Sequence, residues 1–74
     1  MSEKLIKEWE QLGYVYKEDE NVLGEKEIRL DNVKRPYSII INLKTKEFGT
    51  YYEADFTFEE YKLLTKTFIE LGWL

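Results

Sequence analysis

Few side chains in this chain could move a proton or attack a bond. It has no histidine, the residue that most often exchanges protons near neutral pH, and no cysteine nucleophile. The hydroxyls of Ser2, Ser38, Thr45, Thr50, Thr57, Thr65 and Thr67 have no imidazole to activate them. A carboxylate pair is the remaining route to acid–base chemistry. Glu53 and Asp55 are the nearest candidates, just before a helix start. Carboxylates there also complement the helix dipole and solvate the turn, which accounts for both residues without catalysis. Gly13, Gly24, Gly49 and Gly72 are scattered, with no phosphate-cradling spacing. The expectation is a protein that is not an enzyme and uses no cofactor.

Charge narrows the binding classes. Fifteen acids against eleven bases give a net charge of −4, ordinary for a dispersed small domain and contrary to a nucleic-acid binder, which is usually basic. The stretch Glu18-Asp19-Glu20-Asn21, with Glu25 and Glu27, reads as an acidic loop over Asp19–Gly24. It lacks the alternating ligands and central glycine of a calcium loop, so no metal site is expected. Asp19 and Glu20 could instead meet a basic partner protein. Lys34-Arg35 and Lys44/Lys46 flank one strand and should lie at opposite ends of the sheet, giving no continuous phosphate track.

The elements that position these groups are bracketed by an echo. Trp9-Glu10-Gln11-Leu12-Gly13-Tyr14 returns as Phe68-Ile69-Glu70-Leu71-Gly72-Trp73. Glycine just past a helix end takes the left-handed conformation, and the next residue folds back on the last turn. Tyr14 should therefore touch Trp9, and Trp73 should touch Phe68. The first helix is expected over Glu3–Leu12, capped by Ser2, with Leu5, Ile6, Trp9 and Leu12 as its stripe. The second is expected over Phe58–Leu71. Thr57 and Glu60 make a capping box, and Phe56 and Tyr61 occupy the positions of a hydrophobic staple. Its seam is Tyr61, Leu64, Phe68 and Leu71, broadened by Leu63.

Between the helices the period becomes two. Strands are expected over Tyr14–Lys17, Lys26–Leu30, Tyr37–Leu43 and Glu47–Tyr52, with turns at Asp31–Pro36 and Lys44–Lys46. The fold class is α+β in two layers: α-β-β-β-β-α, an antiparallel meander with both helices side by side on one face. Residues 1–74 form a single domain. With no cysteine there is no disulfide, so stability must come from dense aromatic packing or self-association; two Trp, six Tyr and four Phe suit a monomer or a weak homodimer. No signal-peptide pattern or membrane-length apolar run is visible, so the expected location is cytoplasmic.

The sheet's other face is the candidate interaction surface. Ser38, Ile40, Asn42, Gly49, Tyr51 and one of the Tyr14/Tyr16 sets should point away from the helices. Exposed tyrosine and isoleucine together are unusual for an idle face, since large exposed apolar patches tend to be binding sites, while isolated exposed apolar residues are equally ordinary. The functional expectation is a small non-enzymatic protein-interaction module. The alternatives are single-stranded nucleic-acid binding by the same face, as in aromatic RNA-binding sheets, or a homodimeric structural protein.

The closing run Glu60-Tyr61-Lys62-Leu63-Leu64-Thr65-Lys66-Thr67-Phe68-Ile69-Glu70-Leu71-Gly72-Trp73, with the early Leu12-Gly13-Tyr14, resembles small uncharacterised proteins of Gram-positive phages and prophages. The resemblance brings no site residues with it. It implies a protein that binds and modulates host proteins.

Overall fold

Each helix begins where a side chain satisfies its first free N–H groups. The Ser2 hydroxyl accepts from the Leu5 N–H at 3.3 Å, opening α1 (Glu3–Gln11). The Thr57 hydroxyl accepts from the Glu60 N–H at 3.1 Å while Glu60 Oε1 accepts from the Thr57 N–H at 2.8 Å. This reciprocal box opens α2 (Phe58–Glu70). In the computed structural model, which describes residues 1–51 and 55–74, four strands lie between: β1 (Tyr14–Glu20), β2 (Lys26–Asn32), β3 (Ser38–Asn42) and β4 (Glu47–Tyr51). They pair antiparallel in the order β1-β2-β3-β4, the expected meander.

Both helix ends close on glycine. Gly13 and Gly72 have φ of 93° and 79°, where an L side chain would be strained. At the second end, Trp73 N–H donates to Phe68 O at 2.8 Å and Gly72 N–H to Ile69 O at 3.0 Å, the full Schellman pattern. The Trp73 ring stacks on Phe68 with centroids 5.3 Å apart. At the first end, Gly13 N–H donates to Glu10 O at 2.9 Å. Tyr14 then enters β1 at once, its ring edge-on to Trp9 at 5.0 Å. Both aromatic contacts match the sequence expectation.

The helices lie antiparallel on one face. The start of α1 meets the end of α2, where the Ser2 N–H donates to Glu70 Oε2 at 2.8 Å. Further along, Glu8 pairs with Lys66 at 3.2 Å, and the buried Trp9 indole donates to Thr67 Oγ1 at 3.1 Å. Thr67 Oγ1 in turn donates a hydrogen bond to Leu63 O at 2.7 Å, so the helix interface buries no unsatisfied hydroxyl. Leu5, Trp9, Leu63 and Leu64 pack with Tyr14, Ile28, Leu30, Tyr37, Ile39 and Ile41 into one core.

Three expectations are corrected. First, the buried seam of α2 is Glu60, Leu63, Leu64 and Thr67, with Phe68 and Leu71 partly buried beside it. Tyr61 is 59% exposed and, in place of a staple with Phe56, stacks on Phe58 at 6.2 Å. Second, β1 does not stop at Lys17. It runs to Glu20, paired along its length with β2 from Tyr14↔Asn32 to Glu20↔Lys26. Asp19 and Glu20 are strand residues, and the turn is residues 21–25; β2 likewise runs past Leu30 to Asn32, so Asp31, expected in a turn, is a strand residue. Third, neither Tyr14 nor Tyr16 points away from the helices. Residues two apart share a face; Tyr14 is buried in the core and Tyr16 packs against it, while Val15 and Lys17 turn outward. Tyr52, expected to end the fourth strand, lies outside the described residues.

Each hairpin turn is keyed by an asparagine. Asn21 Oδ1 accepts from the N–H groups of Leu23 and Glu25, Asn32 Oδ1 from Lys34 and Arg35, and Asn42 Oδ1 from Lys44 and Thr45. A short amide that mimics a backbone turn closes all three.

Candidate functional site

The register lays the outer sheet face out as three cross-strand rows. The first is Val15, Asp31, Ser38 and Tyr51. The second is Lys17, Arg29, Ile40 and Gly49. The third is Asp19, Glu27, Asn42 and Glu47. No described helix covers these rows.

The first two rows form an ordered network. Asp31 accepts from Ser38 Oγ, pairs with Arg29 at 3.3 Å and with Lys17 at 3.4 Å. The Ser38 hydrogen bond, with Arg29 and Lys17, holds the Asp31 carboxyl below the usual carboxylate range, outweighing a partial burial that pushes it up. The Arg29 guanidinium also lies over the Tyr51 ring, 5.6 Å from its centroid. Its Nε is buried and has no hydrogen-bond partner among the described residues. Both cations of the face are thus drawn toward Asp31 and away from the third row.

The candidate residues divide accordingly. Ser38 serves Asp31. Tyr51 is 53% exposed over Arg29. Ile40 is half-buried between Arg29 and Gly49. Asn42 stands in the third row, but its side chain is spent on structure. Its Oδ1 closes a turn and its Nδ2 donates to Glu25 Oε1 at 3.3 Å. Asp19 joins the outer face beside Glu27. Glu20 does not: it has the parity of Tyr14 and Tyr16 and belongs to the helix side. The acidic stretch is therefore split between two faces. Among the described residues no group of three or more ligating side chains could hold a metal ion. Lys34-Arg35 and Lys44/Lys46 sit in turns at opposite ends of β3, as their spacing implied.

On the covered side the sequence reading missed a buried carboxylate. Glu60, 3% exposed, accepts from the hydroxyls of Tyr14 and Tyr37, from Arg35 at 3.2 Å and from the Thr57 N–H. Burial pushes its pKa up, but the hydrogen bonds from Tyr14, Tyr37 and Thr57 outweigh it and the net shift is downward. The tyrosines answer in the other direction. Burial, then the bond to Glu60, raises Tyr14 and Tyr37 above their ordinary value. Arg35 also lies over the Tyr37 ring at 4.8 Å. Every acceptor position of Glu60 is committed, so the cluster pins α2 to β1 and to the residues leading into β3 rather than offering a free acid or base. The capping box announced Glu60 as an N3 residue; nothing local announced its burial. Of the proposed carboxylate pair, Asp55 is exposed, and Glu53 lies outside the described residues.

An exposed aromatic pair also escaped notice: Phe58 and Tyr61 stack on the first turn of α2, with Lys62 Nζ 5.3 Å from the Phe58 ring. The signal was there in the i, i+3 spacing. Comparison of the chain with protein-family models, with curated proteins and with solved structures finds no match.

Proposed function

We propose that this chain is a small protein-interaction module that presents the uncovered face of its sheet to a protein partner. The observation that carries this reading is the ordering of that face. Lys17, Arg29, Asp31, Ser38 and Tyr51 are tied into one network, around an isoleucine left partly open. Side chains already fixed lose little rotamer freedom on association, which is how a preorganised surface favours binding. The same network weakens the nucleic-acid alternative. Lys17 and Arg29 are both engaged by Asp31, and the third row adds carboxylates where a phosphate chain would lie. The phage and prophage resemblance supports the same reading, since such proteins often act by binding host proteins.

The test is affinity capture followed by calorimetry on the recovered protein, with the wild-type chain and with the Tyr51→Ala, Ile40→Ser double variant. The variant should keep its cooperative melt and lose the partner. Equal affinity for both forms removes the reading. Binding of a single-stranded oligonucleotide at low salt, with a steep salt slope, would replace it with the nucleic-acid one.

A further inference from the structure

Gly49 has no reason to be glycine in the free protein. Its φ is not positive, unlike those of Gly13, Gly24 and Gly72. A Cβ placed on it would meet nothing within 4 Å. Glycine in a strand interior weakens the strand, and its presence often marks a place where something else comes close. Here the missing side chain uncovers Ile40, its cross-strand partner. The result is a shallow depression of about 250 Å3 lined by Glu27, Ile40, Asn42, Glu47, Phe48 and Gly49.

The walls of this notch have one sign. Glu27 and Glu47 flank Asn42 in the same cross-strand row, and Asp19 stands beside Glu27. Among the described residues neither Glu27 nor Glu47 makes an ion pair. The nearest cation on the face, Arg29, is held by Asp31 and Tyr51. Directly opposed like charges such as Asp19 and Glu27 are unfavourable in a ladder, and a cation placed there relieves them.

We infer that the notch over Gly49 seats one basic side chain of the partner protein, an arginine by preference, with its methylenes on Ile40 and its guanidinium between Glu27 and Glu47. An apolar floor with a carboxylate rim suits a side chain that has an aliphatic stem and a charged tip. Two carboxylates suit the planar fork of arginine better than the point charge of lysine. This inference rests on the sheet face being the binding surface, and it names the chemistry that the face selects.

The experiment follows amide shifts of the isotope-labelled full chain by NMR during titration with a capped Val-Arg-Val tripeptide. The control is the same tripeptide with citrulline, which keeps the shape and removes the charge. Saturable shifts should centre on Ile40, Gly49, Glu27 and Glu47, and citrulline should weaken binding at least tenfold. Gly49→Val fills the notch without touching a carboxylate; it should leave the melt intact and also weaken arginine binding at least tenfold. Shifts spread over the acidic residues of the whole surface, or a Gly49→Val variant that binds as well as the wild type, would overturn the assignment. If partner capture still depends on Ile40 and Tyr51 in that case, the notch fails and the binding face stands. Self-association in a sedimentation series, abolished by Gly49→Val, would give the notch to a second copy of the chain and overturn the inference too.

Discussion

Glu60 on the covered side of the sheet and Glu47 on the open side differ in how many partners they have. Glu60 takes hydrogen bonds from two tyrosines, an arginine and a backbone N–H. Glu47 pairs with no described side chain. Inside a low-dielectric environment a carboxylate must be satisfied or neutralised, so the covered face can hold one only at full valence. On the open face water supplies the bonds, and a carboxylate can be left for an incoming group. The contrast teaches where to look: the committed acid holds the fold, and the uncommitted ones are available for recognition.

The largest effect expected from breaking this contrast is Glu60→Ala. It leaves the buried hydroxyls of Tyr14 and Tyr37 without their shared acceptor and opens the capping box. The loss should be about 2–4 kcal/mol, a large part of the roughly 3–5 kcal/mol a core of this size supplies. Glu47→Ala should change stability by less than about 0.5 kcal/mol, as surface substitutions usually do. Urea unfolding of the two variants makes the comparison directly; equal midpoints would mean that Glu60 is not structural.

Acid should sharpen the same contrast. The pKa of Glu60 is lowered from 4.5 in the fold, so the unfolded chain binds its proton more tightly than the native one. Its stabilisation is complete above about pH 4.5 and disappears as pH falls through the folded value. The melting temperature of the wild type should drop over that range. Glu60→Gln, which cannot titrate, should start lower and fall less steeply. Asp31, lowered from 3.8 by Ser38 above all, contributes a further loss as pH falls below about 3.8 and through its folded value. At the alkaline end the signs reverse. Tyr14 and Tyr37 are raised above 10.0, so their contribution is intact below pH 10 and is lost as pH rises through their folded values. A Glu60→Gln variant with an acid limb identical to the wild type would show that other carboxylates dominate the profile.

What could be read from the chain and what could not follows from distance along it. The capping box spans Thr57 to Glu60, and each helix closure spans a single turn, so local chemistry specified them and the fold class came with them. The role of Glu60 depends on Tyr14 and Tyr37, separated from it by 46 and 23 residues, and no local pattern contains that meeting. The seam of α2 misled for a related reason. Hydropathy favours Tyr61 over Thr67, but Thr67 is fully buried because Trp9 of the other helix supplies its hydrogen bond. The run Glu18-Asp19-Glu20 looked like a loop by composition. It is strand because β2 lies beside it and because an edge strand tolerates charge. On the outer face, alternation placed Ser38, Ile40, Asn42 and Tyr51 correctly, but it could not tell that Asn42 is consumed by its own turn or that Asp31 gathers the cations.

The most discriminating prediction is a small gain in stability rather than a loss. Gly13, Gly24 and Gly72 have positive φ, and replacing Gly13 or Gly72 with alanine should destabilise the fold by about 1 kcal/mol or more, since the backbone there suits glycine alone. Gly49 has ordinary strand geometry and open space around it. Gly49→Ala should therefore raise stability by about 0.5–1 kcal/mol, because alanine restricts the unfolded chain and fits the pleat better. For a domain of this size that is a rise of roughly 2–8 °C in Tm, within reach of careful calorimetry. A rise would mean that the free protein is less stable for having glycine at position 49, which fits a residue retained for what approaches it. A fall would show that the fold itself needs this glycine, and the opening over Ile40 would then be a by-product of strand structure rather than a seat.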